Sequence, residues 1–344
     1  MPNGNNNNSY LWHMAKINTT KLSTPSRVQS GLYKKTMKCF FYQSRLFEAQ
    51  ITELFDDLWP TVTAIKNLRW QVNGYYHEMG VKQNAKLSSH FVDSEDKTNR
   101  PNLYRACIEQ DWEQQEYNIS RNLLTNIFAL YEGWIETILP QLSNSNVNAK
   151  KFQFPHEAGI ALSALQQHQN QALVDAMYNV YVSKNSDSKL IHLDNYLKVY
   201  RYFKECRNCI IHSGGRTNQK LIQAYSDVKG LTANDLDVSE IPEMKEVVAV
   251  DELVKITLRG VVGFSQIVLK LVEVLDMEFI KADKAVDCFV MQVKEFTPYP
   301  QYPSPDEAKS RKMIEAILHR SAFLPPQHSN DFYKLLKNRG ILRV

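Results

Sequence analysis

No stretch of this chain is apolar for long enough to cross a membrane. Its apolar runs, such as 247–250 and 267–269, are cut by charge far short of the ~20 residues that a helical span needs, so no membrane partner is expected. The basic, Asn-rich start lacks the continuous apolar run of a secretory signal, which argues against export. Cysteine is scarce: five residues, an odd number (Cys39, Cys107, Cys206, Cys209, Cys288), fit a reducing compartment better than a disulfide framework, and the expected location is cytoplasmic. With only 12 Gly and 13 Pro among 344 residues, and 43% hydrophobic against 23% charged, collagen-like and wholly disordered classes are excluded. No Walker loop, G-x-G-x-x-G, H-E-x-x-H or G-x-S-x-G occurs, so phosphoryl transfer from ATP, zinc proteolysis and serine hydrolysis lose support. Acid is missing from residues 1–47, which hold seven Lys/Arg, and 306–344 hold eight basic residues against four acidic. The net charge of +4 therefore covers a body that is about seven charges negative, and an anionic polymer would have to be drawn by a tail or a local patch.

What is present is helical periodicity over most of the length, in a chain long enough for one large or two ordinary domains. Residues 1–36, with an Asn run at 5–8 and no apolar stripe, read as a flexible basic tail. Apolar residues at three- and four-residue spacing (Leu46, Phe47, Ile51, Leu54, Phe55, Leu58) predict a helix pair over 37–59 and 61–77, interrupted at Pro60, and 81–103 read as a loop. Together, 37–103 form an expected N-terminal helical extension. Long helices are predicted over 103–139, stopped by Pro140, over 155–182, over 190–212, and from an N-cap at Asp251 to about 282, with a continuation to 293. These place an all-α, four-helix bundle at 104–295. A proline-rich linker at 296–305 then leads to a small basic C-terminal unit at 306–344 with two short amphipathic helices.

The helix over 190–212 carries the chemistry. Leu193, Tyr196, Leu197, Tyr200, Phe203, Ile210 and Ile211 form one broad apolar stripe, with Arg207 near its middle and Lys204 at its edge. A guanidinium cannot be discharged and is costly to bury alone, so Arg207 needs a carboxylate, a ligand anion or a partner subunit. Asn208 and His212, four apart, share a flank of the helix, which stops at Ser213-Gly214-Gly215. Arg207 and His212 are about 140° apart on a regular helix, so one chain alone does not converge them well, whereas two such helices side by side in a two-fold dimer would. The competing assignment pairs Arg207 with a core carboxylate such as Glu132 and makes His212 a helix-end residue favoured by the dipole.

Arg207-Asn208-Cys-Ile-Ile-His212, at the end of a bundle helix and followed by Ser-Gly-Gly, resembles the R-x4-6-H motif of the HEPN superfamily, in which a polar residue, often Asn, follows the Arg. The resemblance covers 104–295 and not the two ends. It implies a HEPN-like helical bundle that forms a homodimer through the Arg207–His212 helix and a metal-independent endoribonuclease that uses no cofactor, of the kind found in toxin and anti-phage defence systems, with RNA as substrate and an antitoxin or sensor protein as a further partner. It equally admits a member that has lost catalysis and binds a partner protein or a nucleotide. Residue by residue, it implies that His212 is general base or acid for attack of a 2′-hydroxyl on the adjacent phosphate, that Arg207 binds that phosphate, and that Asn208 orients the phosphate or His212. Some members carry an acidic residue with a basic one four later in the first bundle helix; here Glu132 precedes Glu136 instead. Cys206-Arg-Asn-Cys209 lacks the two further ligands of a zinc site and reads as a pair of small packing residues. The aromatic and basic residues Phe332, Tyr333, Lys334, Lys337, Arg339 and Arg343 read as a docking appendage with a solvated face.

Overall fold

The three- and four-residue apolar spacing is realised as helix over most of the described residues. The computed structural model describes residues 38–79, 87, 90–91, 102–143 and 147–343. The basic tail expected at 1–36 and most of the loop expected at 81–103 lie outside the described residues. Among those described, the protein is all-α, with no strand and two isolated bridges, Arg216 with Leu253 and Gln301 with Leu342. The helices are α1 (Tyr42–Met79), α2 (Trp112–Leu142), α3 (Glu157–Leu165), α4 (Gln171–Lys184), α5 (Leu193–His212), α6 (Gln219–Val228), α7 (Leu258–Phe279), α8 (Ala285–Phe296), α9 (Glu307–Arg320) and α10 (Asn330–Asn338).

α7 is buried along most of its length, with Arg259 and Gln266 exposed near its start and three acids, Glu273, Asp276 and Glu278, buried in its second half. α2 and α5 pack against it and against each other, α1 and α4 pack on α7, and α6 lies against α5. At the middle, the ring of Phe264 is 4.5 Å from Phe203 and 5.2 Å from Phe128, and Phe128 lies 5.0 Å from Tyr200. The start of α7 is crossed closely by the chain at Pro242 and Glu243. A Cβ on Gly260 would sit 2.4 Å from the Glu243 carbonyl oxygen, and one on Gly263 2.9 Å from Pro242 Cα, so only glycine admits the crossing.

Several predicted boundaries are corrected. α1 runs unbroken through Pro60, and α2 passes Pro140 to end at Leu142. Both prolines are exposed, so the carbonyl that each deprives of its helical partner faces water, and fully buried Leu142 rewards the continuation. The single helix expected over 155–182 is two, α3 and α4. The turn between them is held by long-range bonds from the Gln166 amide to Glu278 and from the His168 N–H to Asp283, and Asn170 caps α4. Asp251 is no N-cap: it has a positive φ of 69°, and α7 begins at Leu258 behind Thr257, whose hydroxyl accepts from Gly260 N–H. Nor do the ends stand apart. Phe40, Phe41, Phe47, Phe323, Phe332, Ile341 and Leu342 belong to the same core cluster as α2, α5 and α7. The segment expected as a linker is tied to the C-terminal segment, Gln301 N–H donating to the Ile341 carbonyl and Arg343 N–H to that of Gln301.

The N-terminal segment of the described residues is fixed by buried charge. Asp276 of α7, with no exposed surface, accepts the backbone N–H of Phe40 at 2.5 Å and of Phe41 at 3.1 Å. Arg45 donates to the carbonyls of Cys39, Phe40 and Ala322, joining both ends of the chain. Burial pushes the Asp276 carboxyl up to about 6 against the opposing pull of the Ser44, Phe40 and Phe41 hydrogen bonds and the charge of Arg45. Burial also raises Glu48 to about 7, assisted by the charges of Glu273 and Asp276 and opposed by the Cys39 thiol that donates to it at 3.2 Å.

Two predictions follow from packing and from charge. Gly260→Ala lowers stability in urea by about 2 kcal/mol, because a backbone carbonyl cannot yield as a side chain can, whereas Gly159→Ala in α3, with open space around it, is neutral or stabilising by up to ~1 kcal/mol. Glu48 holds its proton more tightly folded than unfolded, so stability is greatest below the ordinary carboxylate pKa and is lost as pH rises through about 7. Unfolding free energies from urea titrations at about pH 5.5 and about pH 8 should differ by about 2 kcal/mol in that direction, and Glu48→Gln should remove most of the difference.

Candidate active site

α5 is long enough, and apolar enough on one side, to be held rigidly by α2, α6 and α7 while one flank remains accessible. It stops where expected: Ser213 follows the last helical residue, Gly214 and Gly215 have φ of 61° and 80°, and the Gly215 N–H returns to the Cys209 carbonyl at 3.0 Å. That stop sets His212 at the helix C-terminus, exposed, with no hydrogen bond or ion pair to a described residue.

Arg207 and Asn208 are half-buried and touch: Arg207 Nη1 donates to Asn208 Oδ1 at 3.4 Å. Asn208 Nδ2 in turn donates to Glu205 Oε2 at 3.4 Å. Glu205, whose side chain is 5% exposed, takes Arg201 on its other oxygen one turn earlier, and the Arg201 guanidinium lies 4.3 Å from the centre of the Phe154 ring. Residues 201, 205, 208 and 212 thus form a ladder along one flank, with Arg207 leaning onto it from the side. The two 3.4 Å bonds are long for N–H···O, so Arg207 and Asn208 are only lightly committed to one another.

The carboxylate considered for Arg207 is engaged elsewhere. Glu132 of α2 accepts from Lys204 Nζ at 2.7 Å, and Lys204 also reaches Gln153. Arg207 Nε is buried with no hydrogen-bond partner. Tyr200, one face of the helix away in the core, has a buried hydroxyl also without a partner; burial drives its pKa far up, with the charges of Arg201 and Arg207 opposing, so it stays neutral and is no proton shuttle. Cys206 and Cys209 are buried among core side chains, and burial raises both thiols, which makes them poor nucleophiles and poor metal ligands. Among the described residues no three His, Cys, Asp or Glu side chains gather as a metal would require.

Beside the ladder lies a shallow cleft of about 300 Å³ between α5, α6 and the 154–155 turn, lined by Lys198, Arg201, Lys220 and Phe154, with Asp227 its one acid. Sequence reasoning passed over Glu205, Arg201 and this cleft. The spacing 201–205–208–212 was a readable signal for the first two; Lys220 and Phe154 arrive from distant segments and left none. Arg207 and Asn208 are in contact, and His212 stands one turn beyond Asn208 with no side-chain hydrogen bond to either, so within one chain Arg207 and His212 do not converge, as their 140° separation predicts.

No protein-family model, curated protein or solved structure matches this chain.

Glu205→Gln keeps the shape but leaves Arg201 without its counter-charge in a half-buried position. It should cost about 2 kcal/mol in urea unfolding, whereas exposed His212→Ala should change stability by less than ~0.5 kcal/mol.

Proposed function

We propose that this protein is a metal-independent endoribonuclease of the HEPN type, acting in a toxin or anti-phage defence setting, with Arg207, Asn208 and His212 at its centre. The observation that carries this reading is the state of Arg207: among the described residues its guanidinium makes one hydrogen bond, a long one to Asn208, and Glu132, the carboxylate considered for it, is taken by Lys204. A permanent cation so lightly engaged can turn its outer guanidinium nitrogens, Nη1 and Nη2, to a phosphate and pair with it.

In this reading His212, exposed at the helix end, takes the proton from an RNA 2′-hydroxyl as the oxygen attacks the adjacent phosphorus. The 5′-oxygen leaves, and the product is a cyclic phosphate. Arg207 binds the nonbridging oxygens and offsets the charge that develops on them. Asn208, held by the buried Glu205 carboxylate, orients the phosphate or His212. Lys198, Arg201 and Lys220 offer a local positive patch on the net-acidic body, and the Phe154 ring beside Arg201 offers a face on which a base can stack. His212 and Arg207 point about 140° apart on one helix, so a complete site is read as two α5 helices meeting in a homodimer. Ile211, an apolar residue 45% exposed between them in sequence, supports such a contact. A helical module without catalysis, binding a partner protein or nucleotide through the same flank, is the second reading, favoured by the lack of contact between His212 and Arg207 in one chain.

Purified wild type, Arg207→Ala and His212→Ala are incubated with RNA in EDTA and the product ends analysed. Cleavage with cyclic-phosphate ends by wild type, reduced at least ~100-fold in each variant, is the expected outcome. No cleavage by wild type, or equal cleavage by all three, sinks the nuclease reading and favours the binding module.

A further inference from the structure

The cleft beside the α5 flank is walled from three directions. α5 contributes Lys198 and Arg201, α6 contributes Lys220 and Asp227 two turns apart on one face, and the 154–155 turn contributes Phe154. Pro155 confines Phe154 to the extended backbone it adopts (φ −128°, ψ 132°), and the Arg201 guanidinium packs 4.3 Å from the centre of its ring, so this half-buried aromatic wall is set before anything enters.

Its charges are unevenly matched. Arg201 meets the buried Glu205 carboxylate, but Lys198 Nζ donates to the neutral Asn195 side chain at 3.0 Å, and exposed Lys220 has no hydrogen bond or ion pair to a described residue. Asp227, the one acid of the lining, accepts from Gln223 at 3.1 Å. Two ammonium groups without a carboxylate of their own, beside an aromatic face, suit a phosphate and the base attached to it. The volume of about 300 Å³ lies at the small end of ligand sites, enough for one nucleotide, and a paired base, stacked inside its helix, cannot reach the ring.

The position of the cleft on α5 sets its distance from the candidate centre. Arg201 precedes Arg207 by six residues of one continuous helix, a rise of about 9 Å along the axis. A stacked strand advances ~3.4 Å per nucleotide, so a chain with one phosphate on Arg207 brings to the cleft a nucleotide within about three positions of it.

We infer that the cleft is a recognition subsite for one unpaired nucleotide of a single-stranded RNA, its phosphate held by Lys198 and Lys220 and its base against Phe154, close along the strand to the phosphate bound at Arg207. The placement relative to the cut rests on the ribonuclease reading; the affinity of the cleft for a single strand does not require cleavage.

The probe is a fluorescent RNA of roughly twelve nucleotides, 2′-O-methylated throughout, which lacks the attacking hydroxyl and so reports binding alone. Anisotropy titrations over a range of salt compare full-length wild type, Phe154→Leu and Lys220→Gln, with urea unfolding of each as a control on folding; Lys220 is exposed, so its variant keeps the fold. Wild type should bind the strand at least ~10-fold more tightly than the same strand in a duplex, and Phe154→Leu should weaken it at least about fivefold. Lys220→Gln should lower the slope of log affinity against log salt by about 0.7, the loss of one phosphate contact. No binding, or a duplex bound as tightly, overturns the subsite. Unchanged affinity in Phe154→Leu overturns the base contact, and an unchanged slope in Lys220→Gln overturns the phosphate contact. If wild type cuts no RNA in EDTA while the probe follows both variants, the nuclease reading falls and the subsite stands; if it cuts RNA and both variants bind as wild type does, the subsite falls and the nuclease reading stands.

Discussion

The fold depends on a carboxylate that never meets water. Asp276 sits on the helix around which the others assemble, and it is tolerated there because Phe40 and Phe41 present two backbone N–H groups to it and Arg45 lies nearby. The arrangement is reciprocal: two amides that would otherwise be buried at the foot of α1 without partners obtain them, and Arg45, too polar for its surroundings, finds three carbonyls drawn from both ends of the chain. Remove any one party and the others are left buried and unmatched. This couples the start of α1, the last turn of α7 and the turn after α9 into one cooperative unit, although the first lies more than two hundred residues from the other two.

The candidate site has the opposite character. Its support is rigid, since the apolar side of α5 is locked by Phe128, Phe264 and the helices that carry them, but its polar side chains are joined by long bonds and one of them stands alone. A stiff frame presenting lightly held groups suits recognition of an anion, because little has to be broken before the guanidinium and the amide turn toward it. Glu205 is the hinge of that design. By occupying Arg201 and Asn208 together it leaves Arg207 as the less satisfied of the two arginines.

Much of this was legible in the sequence because it is local. The periodicity that makes α5 amphipathic, the glycine pair that stops it and the 207–208–212 motif all lie within one stretch of chain, and so does the all-α class. What escaped depends on where an element finally lies. Pro60 and Pro140 sit inside helices because the carbonyls they free face solvent, and a sequence does not say which side of a helix is wet. The break between α3 and α4 is imposed by Glu278 and Asp283, more than a hundred residues away. Lys204 and Arg207 lie on neighbouring faces and compete for Glu132; geometry, not spacing, decides that lysine wins. The boundaries between extension, bundle and appendage were drawn from composition, and composition does not reveal that Phe323 and Phe332 stack around Phe289 beside Phe40.

That last contact governs the order in which the molecule can be made. A chain leaving the ribosome brings out Phe40 and Arg45 first, and the aromatic wall against which they pack, Phe323 with its neighbours on α8 and α10, follows only after α7. Until then the N-terminal helix carries an apolar face and a guanidinium with no place to go, and the central helix carries its acids unmatched. The core around Phe40 thus cannot close until α10 has been made, and a product truncated before α10 lacks the side chains that complete its interior.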